Sequence, residues 1–274
     1  MPFQPLNDDH AIQAVGFALG LTKPLPWSMI NSVLASPLDW RRELPALELT
    51  QTMELQLNPQ TGQPVNRIMR GAQFSHKRPD GSSSWQLDVL GSEIRIMSTL
   101  YTRWDPTWEK AGDILMGVAG QLGQLAKEGD FRVNSIGLLV VDVFSTEDEP
   151  PDYTELLIAN SRDIASRVLN VGKFWHSHTG WFNEQANGRV LNQLNIDART
   201  GGGENSIPGI PDDRTRVVVQ HNQVFRPAEP IELGADKDLE DALFAEMPSM
   251  HSQNKLMLRS ILTPEMQKRI KVDV

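Results

Sequence analysis

The chain has 274 residues, 39% hydrophobic ones and 20 glycines, which is the make-up of an ordinary folded domain rather than of a disordered chain or a membrane bundle. There is no cysteine, so disulfides, thiolate zinc sites, iron–sulfur clusters and cysteine nucleophiles are excluded. The formal charge of −9 argues against general nucleic-acid binding and against an anionic membrane surface, both of which need cations. The apolar stretch Ala14 to Leu21 follows Asp8, Asp9 and His10 rather than a basic region, so it does not read as a signal peptide, and a cytoplasmic protein is expected. No run approaches the ~18 apolar residues of a spanning helix.

In chain order, residues 10–21 and 47–57 have strand character and are separated by Pro24, Pro26, Pro37 and Pro45. Strands are then expected at 66–76, 84–89 and 93–98, the first two joined at Asp80–Gly81, a strong hairpin signal, and the next two at Gly91. Trp104, Trp108, Ala111, Leu115, Val118, Leu122 and Leu125 recur every three or four residues and predict an amphipathic helix over 106–128. Asp105 suits its N-cap, Pro106 its first turn and Gly129 its C-cap, while glycines 112, 117, 120 and 123 would let another element come close.

The apolar, Val-rich run 135–144 predicts a central strand. Glu147, Asp148, Glu149 and Asp152 read as a solvated connection, and Leu157, Ile164 and Val168 predict a helix over 153–169. Further strands are expected at 172–182, 189–198 and 215–226, with a long Gly/Pro loop at 200–213 between the last two. Two helices, 237–247 and 249–262, should follow, divided by Pro248. The fold class is therefore α+β: a mixed, mostly antiparallel sheet with a long amphipathic helix packed on it and C-terminal helices. It would form one domain over 1–274, or two intimate halves at 1–150 and 151–274.

The order Phe74 to Asp80–Gly81, then Tyr101 with Trp104, then the apolar strand Ile136 to Val143, then His251 followed by Ile261, Leu262 and Thr263 resembles a sporadically distributed bacterial family of unknown function. The resemblance spans most of the chain. It departs at the apolar strand, where that family commonly carries an Arg and an Asn and this chain reads Leu138, Leu139, Val140, Val141, Asp142. The resemblance implies no activity, only a setting in mobile-element or antiviral defence systems.

The strongest chemical constellation is Phe174, Trp175, His176, Ser177, His178, Thr179, Gly180, Trp181, Phe182. On a strand, His176 and His178 share a face with Phe174 and Phe182, and two imidazoles so placed can ligate one zinc. A partly apolar setting is expected for both rings. His176–Ser177–His178 also resembles the first half of the MPN-type metallopeptidase signature, but Ala186 and Arg189 stand where that signature needs Ser and Asp. Asp197, His221 and Glu184 are the candidates for a third ligand. The plainer reading is a half-buried aromatic strand whose histidines bond to neighbours.

No P-loop follows Gly201–Gly203 and no Gly-x-Ser-x-Gly occurs, so neither a phosphate cradle nor a serine nucleophile is indicated. His251 reads as a packed or capping residue. Two functions remain. One is a non-enzymatic binding or assembly protein with a protein partner, in a bacterial antiphage or mobile-element system. The other is a metal-dependent hydrolase using His176 and His178. No other catalytic residue is assigned and no organic cofactor is implied.

Overall fold

The computed structural model describes residues 3–7, 9–57, 64–126, 130–200, 210–211, 213–234 and 237–272. Strands β1 (Gln4–Pro5) and β2 (Ile12–Leu21) precede helices α1 (Trp27–Leu34) and α2 (Trp40–Glu43). A meander follows: β3 (Ala46–Leu57), β4 (Pro64–Lys77), β5 (Ser83–Leu90) and β6 (Glu93–Ser98). Helix α3 (Trp104–Leu125) leads into β7 (Arg132–Thr146). Then come β8 (Trp175–Gln185), β9 (Gly188–Thr200), β10 (Thr215–Pro227), β11 (Ile231–Glu232), α4 (Lys237–Ile261) and α5 (Pro264–Arg269).

The strands form one sheet in the order β3-β4-β5-β6-β2-β7-β10-β9-β8, with β1 and β11 pairing to the two ends of β7. Every pairing is antiparallel. The class is thus α+β with the sheet dominant. The strand β7 explains why the sheet closes around it: its run of β-branched and aliphatic residues suits a position flanked on both sides. Along it, Ile136, Leu138 and Val140 are buried, while Gly137, Leu139 and Val141 are only half-buried on the opposite face.

The buried face carries two apolar clusters. In one, Phe17, Leu19 and Leu138 pack with Leu115, Val118 and Leu122 of α3 and with Met247 and Met250 of α4. In the other, Phe144, Ile196, Val217 and Val219 pack with Leu258, Ile261 and Leu262. On the open face a small cluster of Val143, Val218 and Ile210 lies at one end.

The Asp80–Gly81 turn forms as the dipeptide dictates: Gly81 has φ +85°, and Asp80 accepts from the Ser82 amide at 2.9 Å. At Gly123 the close approach expected of the α3 glycines is met, since a Cβ there would collide with the Gly234 backbone. Other expectations need correction. The N-cap of α3 is Arg103, with no side-chain cap, and Asp105 lies within its first turn. Leu125 is exposed rather than part of the buried stripe. The expected C-cap Gly129 and residues 201–209 and 212 of the 200–213 loop lie outside the described residues.

No helix forms over 153–169. Instead there are two short 3-10 turns, Tyr153–Glu155 and Ser166–Asn170. The reason is tertiary: Leu157 bridges to Leu262, Ile158 donates to the Ile261 carbonyl, and Thr263 donates to the Leu156 carbonyl. The segment's backbone groups are spent on the end of α4. Nor does Pro248 divide the last helix, which runs from Lys237 to Ile261 with the proline inside. A proline costs one helical hydrogen bond, about 3 kcal/mol. The buried residues Leu243, Met247, Met250, Asn254 and Leu258 run past it without a gap, and their burial outweighs that loss.

Candidate functional site

Asp142 interrupts an otherwise apolar stretch of β7, and strand alternation turns it onto the helix-covered face, 2% exposed. It pairs with Ile12, beside a register shift in β2 between Ile12 and Ala14. Such bulges re-aim side chains and recur next to functional sites. Burial alone pushes the Asp142 carboxyl up to about 7, because a charge is disfavoured away from water.

Four other elements close around it. Tyr101, in the approach to α3, has its phenol pushed up to about 12, first by burial and then by the charge of Asp142. His251 of α4 stacks on Trp104 at the start of α3, with ring centroids 3.9 Å apart and planes within 4°. Burial and then the Lys255 charge bring that imidazole down to about 4, so it is neutral at pH 7. His10 meets the Tyr101 ring edge-on at 5.2 Å and is held below its usual value mainly by burial, against the opposing backbone contacts of Tyr101 and Ile12. Asn254 accepts from His221 Nδ1 at 2.9 Å, and burial brings His221 down to about 4.

Asp142, Tyr101, Trp104, His251, His10 and Asn254 line a cavity of about 190 Å³, with Arg103, Lys255 and an Asp9–Lys271 ion pair among its walls, while His221 lies behind Asn254 and outside it. Tyr101, Trp104 and His251, far apart in sequence, are thereby brought together with Asp142. His251 is packed, as its helical position suggested, but it packs against a cavity.

Neither a protein-family model nor a curated protein sequence matches this chain.

His176 and His178 lie elsewhere, on the edge strand β8. They share a face with Phe174 and Phe182, which are 68% and 56% exposed. The partly apolar setting expected for the two rings is not found, because both stand in solvent. Their centroids are 6.4 Å apart, His176 Nδ1 bonds Asp197 at 2.6 Å, and His178 Nδ1 bonds the Asn195 side chain. Of the other candidate ligands, only Asp197 is close. His221 is on the opposite face, stacked on Trp181, and Glu184 lies six residues on from His178, roughly 20 Å along the strand. Among the described residues no three His, Asp or Glu side chains are grouped to hold a metal.

The acidic segment behaves as a solvated connection. Glu147 pairs with Arg214, Glu149 pairs with Lys173, and Asp152 caps Thr154.

The sheet's second face is the other notable surface. A shallow trough of about 550 Å³ runs along it, floored by Gly16, Ala18, Gly20, Gly137 and Leu139 and flanked by Arg95, Gln220 and Asn222. The floor is built of small residues, with the Met97 side chain over Gly16 and the Ser135 side chain over Gly20, while Gly137 meets only the Ala18 Cβ at 3.5 Å and the backbone beyond it. Asp142 carried one signal legible in the sequence, a lone charge in an apolar strand. His10 carried none.

Proposed function

We propose that this is a non-enzymatic binding or assembly protein that receives a protein partner on the open face of its sheet. The observation that carries this reading is that face itself, where half-buried residues such as Ala18, Leu139, Gln193 and Asn222 extend across the central strands. A floor of small residues with amide and hydroxyl flanks suits a protein surface better than a nucleic acid, which needs cations. The chain's charge of −9 favours a separate, basic partner over a second copy, since like charges repel. On this reading α3 is the long amphipathic helix that covers the opposite face, supported by Leu115, Val118 and Leu122 within the core. A bacterial antiphage or mobile-element setting rests on the resemblance alone. A cytoplasmic location agrees with the finding that no helix among the described residues is long and apolar enough to cross a membrane.

The test is affinity capture from a bacterial host of wild type, of Leu139→Glu and of Asn222→Arg, each first checked for native circular dichroism. A specific basic protein whose cross-links map to this face, and which both variants lose, supports the reading. Retention of every partner by both variants overturns it.

The alternative, a metal-dependent hydrolase using His176 and His178, draws on their shared face and the adjacent Asp197. About one zinc per chain, lost when both histidines become alanine, would favour it.

A further inference from the structure

The cavity at Asp142 is independent of the open sheet face and lies on the other side of the sheet. Its floor is a carboxyl group 2% exposed, and burial is the only influence on it: no described residue offers it a hydrogen bond or an ion pair. Buried carboxylates are otherwise paired or hydrogen-bonded. Cations are nearby: Lys271 is engaged by Asp9, Lys255 lines the same space, and Arg103 does so without pairing with Asp142. The arrangement therefore offers a deep negative group and a positive rim.

We infer that this cavity binds a small zwitterion of the α-amino-acid type, its ammonium on Asp142 and its carboxylate toward Arg103. Three features support this assignment over simpler ions. A bare amine would meet the repulsion of the rim cations, and a bare carboxylate would meet that of Asp142. The Tyr101 ring lines the space and is a favourable neighbour for an ammonium, the Trp104 ring being stacked on His251. The volume of about 190 Å³ holds roughly six water-sized groups, which suits the smallest amino acids and excludes a nucleotide. An elevated carboxyl pKa is what such a floor has before a cation reaches it.

Calorimetric titration of the full chain with glycine, alanine, serine and the other small L-amino acids tests this, with methylammonium and acetate as controls. At least one amino acid should bind saturably, and more tightly than either control. Asp142→Asn should weaken that binding by at least about tenfold, the value of a charge-assisted contact. Arg103→Gln, at the rim and clear of the core, should weaken the amino acid while leaving methylammonium no weaker, since a repelling rim charge is lost, which keeps the test informative should Asp142→Asn misfold. Absence of binding by every small amino acid, binding unaltered in Arg103→Gln, or methylammonium binding as tightly as the amino acid would each overturn the inference.

Discussion

Two neighbourhoods of histidine stand side by side in this protein and behave oppositely. On β8, His176 and His178 sit one strand-step apart in an aromatic motif, yet the His176 side chain is 58% exposed and bonded to one carboxylate. Behind the sheet, His10, His221 and His251 come from three distant parts of the chain, and each is held neutral by burial. Density of motif located the first group and burial located the second. Proximity in sequence sets which residues share a strand face, but only packing withdraws water, and withdrawal of water is what alters a group's chemistry.

The largest effect that would sharpen this contrast concerns the wall that excludes the water. Leu115 is fully buried in the core beneath α3, and Leu115→Ala should cost roughly 2–5 kcal/mol in denaturant unfolding. A loss below about 0.5 kcal/mol would mean that α3 does not seal that face.

Next is Asp142. Its folded pKa is raised to about 7, so the folded state holds a proton that the unfolded chain has already released. Its contribution is therefore complete below the unfolded value near 3.8 and is lost as pH rises toward 7. His221 and His251, lowered to about 4, act in reverse: their contribution is present above about 6.5 and is lost as pH falls toward 4. Asp142→Asn removes only the first effect. Its stability relative to wild type should climb by roughly 2–4 kcal/mol between pH 4 and 8. A pH-independent difference would place the carboxyl in contact with solvent.

A smaller loss is expected at the stacked pair. His251→Ala should cost about 1–2 kcal/mol through the lost contact with Trp104, and the change should alter tryptophan fluorescence. The least is expected at the edge strand, where His176→Ala and His178→Ala should each stay within about 0.5 kcal/mol of wild type by thermal unfolding. A loss above about 1 kcal/mol there would break the contrast, since a solvent-facing ring has little packing to lose.

Much of the frame was legible in the residues themselves. The Asp80–Gly81 turn is local chemistry, and so is the alternation that places Phe174, His176 and His178 on one face. What could not be read was any outcome decided by a distant partner. Residues 153–169 have helical spacing, but their backbone is engaged by Ile261, Leu262 and Thr263. Pro248 looks like a terminator until the unbroken buried row of α4 is seen. The cavity needs Tyr101 and His251 in contact with one wall of the sheet, a convergence that no local period encodes. His10 gave no hint because its role depends only on where Tyr101 ends up.

The pairing of β2 with β7 has a consequence for how the chain comes to be folded at all. Ile12 finds its place opposite Asp142, so β2 leaves the ribosome long before its neighbour exists. At ~5–20 residues per second, that wait is roughly 6–26 seconds. During it the meander from β3 to β6 can form by local hairpins, while β2 has only β6 to hold it. The strand that lines one side of the cavity thus spends its early life with an unsatisfied edge. That makes the nascent chain, rather than the finished protein, the form most exposed to aggregation and most in need of a chaperone.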